Sequence, residues 1–224
     1  MNFRRPSLAA AACVASLLVL IAGCDKDKKG VVPPAELVDL KPTLAVQKLW
    51  DTGVGGGGEK LRLALGLALD GGVLYTAARD GEVIALDPAS GRAKWSQDTK
   101  ADLAAGPGVG ASLVAVGTSD GKVIALDVAS GKVLWKASVS SEVLSAPLVT
   151  GDRVIVRSVD GRVHALDALT GKSQWTGEEP VPKLSLRGTA PPVLAKDNVI
   201  AGFDSGKVIA FALATGDIVW QAQV

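Results

Sequence analysis

Residues that could perform acid–base, nucleophilic or metal chemistry are sparse in this 224-residue chain. It contains one histidine, His164, in the run Arg-Val-His-Ala-Leu, and two cysteines, Cys13 and Cys24. Zinc sites take three or four protein ligands, so one histidine cannot form such a site. Three equivalent runs in the chain carry isoleucine at the histidine position: Ile84, Ile124 and Ile209. We therefore predict a packing or strand-edge role for His164, no catalytic residue, no metal and no cofactor.

Two sets of aspartates recur at regular positions near glycines. The first set is Asp80, Asp120, Asp160 and Asp204, and the second is Asp87, Asp127 and Asp167. Aspartate next to glycine is typical of turns, because its carboxylate accepts hydrogen bonds from nearby backbone amides. We interpret both sets as turn residues. The run Gly55–Gly58 lacks the lysine and hydroxyl of a phosphate-binding loop and precedes no helical pattern, so we predict a flexible insert there.

The N-terminus has the pattern of a secretion signal. Arg4 and Arg5 precede an apolar run that ends in Ile-Ala-Gly-Cys24. This pattern predicts a signal peptide over residues 1–23, with Cys24 as an acylated first residue and residues 24–43 as a polar, proline-bearing tether. The alternative is an ordinary signal peptide with an incidental cysteine. Multiple acyl chains anchor a protein stably to a bilayer, whereas a single chain does not.

Charge and cysteine content narrow the function classes. Removal of residues 1–23 would leave one cysteine, which the acyl group would occupy, so no disulfide is predicted. The formal net charge of +1 would become −1 on loss of Arg4 and Arg5. A near-neutral chain without a basic run is not expected to bind nucleic acid.

The tryptophans identify the structural units. All five lie on a regular spacing of 45, 40, 40 and 45 residues: Trp50, Trp95, Trp135, Trp175 and Trp220. Each of the last four follows a Ser/Thr-Gly pair by a few residues, in the pattern Ala-Leu-Asp-x-x-Ser/Thr-Gly-x-x-x-Trp or a looser copy of it. A repeat of 40 to 45 residues is typical of propeller blades or solenoid units. We expect each indole ring to cover the contact between one unit and the next.

Each unit reads as four short strands separated by turns. In the third unit the predicted strands are 145–150, 153–159, 162–167 and 173–176, with Gly151-Asp152, Asp160-Gly161 and Thr170-Gly171 between them. Four strands per unit without helical pattern predict an all-β propeller of antiparallel blades over residues 44–224. A β-solenoid is the alternative. Because no strands precede Trp50, residues 47–52 are expected to be the outer strand of a further blade, and the four units to form an open part of a larger ring.

One connection departs from the repeat. The interval from tryptophan to the next blade's proline is 12 residues in two units but 16 from Trp175 to Pro191. The additional residues fall in the connection that contains Leu184, Leu186 and Arg187, on the ring face that carries the first set of aspartates. Leucine beside arginine is typical of a protein-binding surface. The alternative is a loop whose leucines fold back onto the blade.

The repeat resembles that of the pyrroloquinoline-quinone-type propeller family. With the cysteine site, and with Leu-Ser-Leu-Arg-Gly at 184–188 before Ala-Pro-Pro, the chain is similar to the lipoprotein subunits of the outer-membrane β-barrel assembly machinery. This resemblance implies an eight-bladed ring of which the chain carries the N-terminal half. It also implies a non-enzymatic scaffold that binds the periplasmic POTRA domains of BamA, through Leu184, Leu186 and Arg187, and assists insertion of barrel proteins.

The resemblance further implies an acylated Cys24 at the periplasmic face of the outer membrane. Asp25 departs from this pattern, because aspartate after the lipidated cysteine tends to retain enteric lipoproteins at the inner membrane. Two other functions fit a propeller. One is a generic periplasmic ligand- or peptide-binding protein, and the other is a quinone-dependent dehydrogenase, which requires a calcium-bound cofactor and often a disulfide between adjacent cysteines.

Overall fold

The structure is a computed structural model that describes residues 34–39, 41, 43–58, 61, 63 and 65–224. The chain divides into two units, Met1–Val46 and Gln47–Val224. The described residues of the first unit form no helix or strand and are exposed. The predicted signal peptide, Cys24 and Asp25 lie outside the described residues, as does most of the predicted tether.

The second unit contains four four-stranded sheets, which confirms the all-β blade architecture. In each sheet the strands lie in chain order and every neighbouring pair is antiparallel. Blade 1 comprises β1 Leu67–Asp70, β2 Val73–Ala77, β3 Glu82–Leu86 and β4 Ala93–Asp98. Blade 2 comprises β5 Leu103–Gly110, β6 Leu113–Thr118, β7 Lys122–Asp127 and β8 Val133–Ser138. Blade 3 comprises β9 Leu148–Val149, β10 Arg153–Arg157, β11 Arg162–Asp167 and β12 Ser173–Glu178. Blade 4 comprises β13 Val193–Ala195, β14 Asn198–Gly202, β15 Lys207–Ala212 and β16 Ile218–Gln223.

The Asp-Gly pairs form the turn between the second and third strands of the first three blades. Gly161, for example, has φ +84°, and a side chain there would bring a Cβ within 2.1 Å of the Glu179 carbonyl oxygen. Glycine is therefore required both for the left-handed backbone and for the close approach of the next connection. In blade 4 the turn has the same length, but its aspartate lies one position earlier, in Asp204-Ser205-Gly206, and Gly206 donates its amide to the Phe203 carbonyl at 2.9 Å.

The predicted strands of the third unit agree with the structure in three of four cases. Strand β11 has the predicted bounds, β10 ends two residues earlier, and β12 runs on to Glu178. The first strand is much shorter than predicted, because Pro147 has no N–H to donate to a ladder. In blade 2 the equivalent Pro107 is accommodated by a register shift in β5 between Ala105 and Gly108.

The tryptophans join successive blades, as their spacing predicted. Four of the five indole N–H groups donate to a backbone carbonyl three residues before the glycine of the following Ser/Thr-Gly turn. These pairs are Trp50 to Pro88 (2.9 Å), Trp95 to Val128 (3.0 Å), Trp135 to Ala168 (2.8 Å) and Trp175 to Leu213 (2.9 Å). The glycine of each turn faces the ring so closely that a Cβ would lie 2.5–2.6 Å from it: Gly91, Gly131, Gly171 and Gly216. Hydrophobic clusters fill the spaces between neighbouring sheets.

The two terminal sheets leave apolar surface exposed. Leu67 and Leu69 of β1 are each 68% exposed, and Trp220 of β16 is 41% exposed, whereas Trp135 and Trp175 are 9% exposed. This exposure is the pattern expected of an open series of blades. Residues 47–52, predicted as the outer strand of a further blade, pair with no strand in the structure. Trp50 nevertheless packs on blade 1 in the manner of the outer-strand tryptophans.

Candidate partner-binding site

The connection between β12 and β13, residues 179–192, carries the candidate site. We call residues 180–188 of this connection the insert loop. Leu184 and Leu186 are 92% and 91% exposed, so they do not fold back onto the blade. The structure therefore supports the exposed-patch interpretation of the sequence over the alternative of buried leucines. The apolar surface of these two side chains stays in contact with water until a partner covers it, and that contact is unfavourable.

Two ion pairs hold the insert loop at its ends. At the start, Glu179 is 8% exposed and its carboxylate forms an ion pair with Lys207 Nζ at 3.0 Å. The Glu179 amide also donates to the Gly161 carbonyl at 3.0 Å. At the end, Arg187 Nη2 lies 3.0 Å from Glu142 Oε2 in the connection between β8 and β9. The loop is thus fixed to blade 4 at one side and to the blade 2–blade 3 connection at the other.

A surface cavity of about 340 Å³ lies beneath the insert loop. Leu186 and Arg187 form one wall, while Glu142, Val159 and Asp204 contribute to the other. Asp204 belongs to the turn between the second and third strands of blade 4. This proximity confirms the prediction that the insert loop shares a face with the Asp-Gly turns. The arrangement offers two exposed apolar anchors and one cation with free donors beside a small polar cavity.

His164 is a buried residue of β11 within a network of hydroxyl groups. Its Nε2 lies 3.1 Å from Ser140 Oγ and 3.2 Å from Ser158 Oγ, and its Nδ1 lies 3.3 Å from Thr176 Oγ1. Burial lowers the pKa of His164 below its usual value, and the charge of Asp160 opposes that shift. The prediction of a packing role agrees with this environment. Ser158 is fully buried, whereas Ser140 and Thr176 lie at exposed positions.

The serine and threonine partners of His164 were not identified from the sequence. Ser140 comes from the connection before β9 and Thr176 from β12, so only the fold brings them together. The one sequence signal was the replacement of isoleucine by histidine at position 164, which requires a polar environment that the sister blades do not need.

The aspartates of the second set stabilise turns as predicted. Asp87 Oδ1 accepts hydrogen bonds from the amide and the hydroxyl of Ser90, both at 2.8 Å. Asp127 and Asp167 make the same pair of bonds to Ser130 and Thr170. Hydrogen bonds from the turn hydroxyl and amide lower the pKa of all three carboxyl groups. Blade 4 has Ala212 at this position and lacks that carboxylate.

The glycine run makes specific contacts, contrary to the prediction of a flexible insert. The Gly55 amide donates to Glu82 Oε2 at 3.0 Å, and the Gly56 amide donates to Asp80 Oδ2 at 2.7 Å. Gly55 has φ +57°, and a Cβ on it would lie 2.3 Å from that of Ala78. Glycine is therefore needed here for a close approach to blade 1 rather than for flexibility.

Two features are absent from the part of the chain that the structure describes. Within residues 34–39, 41, 43–58, 61, 63 and 65–224, no group of three or more His, Cys, Asp or Glu side chains is arranged to hold a metal ion. The same residues include no helix with the length and apolarity required to cross a bilayer.

The four-stranded antiparallel blades, joined by tryptophan-on-glycine contacts and interrupted by one exposed loop, define a β-propeller scaffold. A family model described as outer membrane protein assembly factor BamB matches residues 46–103 and 79–224. The chain belongs to this family.

Known relatives extend over nearly the whole chain. BamB of Pseudomonas aeruginosa is 50% identical over 213 residues, which cover 95% of this chain and 56% of the relative. BamB of Alkalilimnicola ehrlichii is 53% identical over 224 residues, covering 100% of this chain and 57% of the relative. The crystal structure of BamB from Moraxella catarrhalis superposes with a TM-score of 0.67 at 30% identity, over 73% of this chain and 50% of that one. The chain thus spans a little over half the length of the curated relatives it matches.

Proposed function

We propose that this chain is a scaffold of outer-membrane protein assembly that binds the POTRA domains of BamA through Leu184, Leu186 and Arg187. In this proposal it assists folding and insertion of β-barrel proteins and is not an enzyme. Family membership supports the assembly role, since the relatives are named as outer membrane protein assembly factors. The observation that carries the binding site is the exposure of two leucines beside an arginine in the one connection that departs from the repeat.

The chemistry of the insert loop suits a protein partner. Full burial of one leucine side chain contributes about 1.5–3 kcal/mol, so two exposed leucines offer a large gain on association. Arg187 is half-exposed, and its ion pair with Glu142 through Nη2 leaves other guanidinium N–H groups for a carboxylate or backbone carbonyls of the partner. Lysine lacks the planar fork that makes such contacts bidentate.

We further propose that Cys24 is acylated after removal of residues 1–23 and anchors the protein at the periplasmic face of the outer membrane. Residues 24–43 would then serve as the tether and residues 44–224 as the propeller. The support is the Ile-Ala-Gly-Cys24 site behind a short apolar run with two arginines at its start. Because Asp25 follows the cysteine, the location must be measured: separation of the inner and outer membranes on a sucrose gradient shows which of them contains the protein.

Affinity for the isolated BamA periplasmic region tests the binding site. We expect Arg187→Ala, or the pair Leu184→Ala and Leu186→Ala, to weaken binding at least about tenfold, since truncation of a hot-spot residue costs about 2 kcal/mol or more. The unfolding temperature should barely change, because the side chains removed make few contacts in the free protein.

Leu169→Ala is the matched control for the leucine pair. Leu169 is 88% exposed but lies in the turn between β11 and β12, away from the insert loop. We expect this variant to bind as the wild type does. Unchanged affinity of the insert-loop variants, or a loss of stability in place of affinity, would exclude these residues as the binding site.

A further inference from the structure

We propose that Glu142 is a positioning residue for the insert loop: its ion pair with Arg187 holds Leu184 and Leu186 in the orientation that a protein partner recognises. The inference rests on the proposed function, since it concerns the same loop. It adds a residue that lies in a different blade connection, more than forty positions earlier in the chain. Glu142 acts through Arg187 and need not touch the partner.

The insert loop has few other restraints. Between Pro180 and Pro192, the ion pair from Arg187 to Glu142 is the one polar contact that the described residues provide. No strand ladder includes this segment, because β12 ends at Glu178 and β13 begins at Val193. The ion pair of Glu179 with Lys207 fixes only the start of the connection. The orientation of the segment that bears the leucines therefore depends on the Glu142 contact.

Glu142 is itself placed on a rigid base. Its carbonyl accepts a hydrogen bond from the Val159 amide at 3.0 Å. The next residue, Val143, is fully buried and forms an isolated antiparallel bridge with Ser158. The backbone of Glu142 is thus tied to blade 3 on both sides of its side chain, which is half-exposed. A flexible loop gains order from an ion pair only when the other partner is fixed, as it is here.

Comparison with the preceding connection shows why Glu142 is available to the loop. Asp102 and Glu142 occupy equivalent positions, each five residues before a proline. Asp102 pairs with Arg79, which directly precedes the Asp-Gly turn of blade 1, at 3.1 Å. The residue before the corresponding turn of blade 2 is Ser119, which carries no charge. The carboxylate of Glu142 therefore has no arginine from its own repeat and pairs with Arg187 instead.

The expected effect on binding follows from the ordering of the loop. An exposed ion pair contributes little by itself, but a partner that binds a disordered loop must also order its side chains. We expect Glu142→Gln, which keeps the shape and removes the charge, to weaken binding to the BamA periplasmic region about three- to tenfold. Asp102→Asn, which breaks the sister ion pair with Arg79, is the matched control and should leave affinity unchanged.

A double-mutant cycle separates positioning from direct contact. If Glu142 acts through Arg187, the variant Glu142→Gln/Arg187→Ala should bind no more weakly than Arg187→Ala alone. Additive losses would mean that Glu142 contributes independently of Arg187 and would overturn the proposal. Tighter binding by Glu142→Gln would show that Glu142 competes with the partner for Arg187, and would also overturn it.

Hydrogen exchange in the free protein gives a readout that does not require the partner. Amides of residues 183–189 should exchange faster in Glu142→Gln than in wild type, with the strands of blade 3 unchanged. Unchanged exchange in these amides, with wild-type affinity, would refute the positioning role. If the leucine pair variant binds normally, the proposed binding site is wrong, but the exchange experiment still decides whether Glu142 orders the loop.

Discussion

Replacement of Gly171 by alanine should destabilise the contact between blades 2 and 3. Gly171 has φ +69°, where an L-residue costs about 1–2 kcal/mol more than glycine. The added Cβ would lie 2.6 Å from Cε3 of Trp135, so the ring must move away. That movement lengthens the buried 2.8 Å hydrogen bond from Trp135 Nε1 to the Ala168 carbonyl, which is worth about 0.5–1.5 kcal/mol. We expect a total loss of about 2–3 kcal/mol in the free energy of unfolding.

Urea denaturation followed by far-ultraviolet circular dichroism measures this loss without relying on tryptophan fluorescence. Gly151→Ala is the control, because a Cβ at Gly151 meets no atom within 4 Å and its φ is not positive. Its free energy of unfolding should stay within about 0.5 kcal/mol of wild type. A Gly171→Ala variant as stable as Gly151→Ala would show that the blade contact relaxes without cost, and that the tryptophan-on-glycine contact is not a source of stability.

Two other properties are open to direct measurement. Cys24→Ala should abolish acyl labelling and release the protein from membranes, and persistence of both would exclude Cys24 as the anchor. Stability should also depend on His164, because its pKa is lowered in the folded protein. As the pH decreases below about 6.5, the unfolded chain takes up the proton more readily than the folded one, so the free energy of unfolding decreases. His164→Ile, the residue of the sister blades, should reduce that slope between pH 5 and 6.5, and an equal slope in both proteins would contradict the assignment.

The repeat made most of the fold predictable from sequence. Tryptophan spacing gave the number of blades, and the Ser/Thr-Gly turns gave the position of the glycine on which each ring packs. The acceptors of the indole N–H groups were not predictable. They are backbone carbonyls of four different residue types, so no side-chain signal marks them: Pro88, Val128, Ala168 and Leu213. The fixed conformation of Gly55 and Gly56 was not predicted for the same reason, since their contacts use backbone amides.

The candidate site was found from sequence, but the residues that hold it were not. The interval from Trp175 to Pro191 placed the insert, and its composition indicated a binding surface. Exposure of Leu184 could not be decided from sequence, because the same leucines would suit a loop packed onto the blade. Glu142 left a weak signal in the repeat, namely Ser119 where blade 1 has Arg79. That signal acquires meaning only when the distance between Glu142 and Arg187 is known.

Three departures from the repeat converge on one face of the propeller. The connection after blade 3 is longer, its first residue is the buried Glu179 where the sister connections have Thr99 and Val139, and Glu142 lacks an arginine in its own repeat. Each departure alone is compatible with neutral variation. Together they produce two ion pairs at the two ends of the same exposed segment, one between Glu179 and Lys207 and the other between Glu142 and Arg187. A loop without function would need neither, because its ends are already fixed by β12 and β13. The restraints are therefore best explained by a requirement to hold the two leucines in a defined orientation, which is what rigid presentation of a binding surface demands.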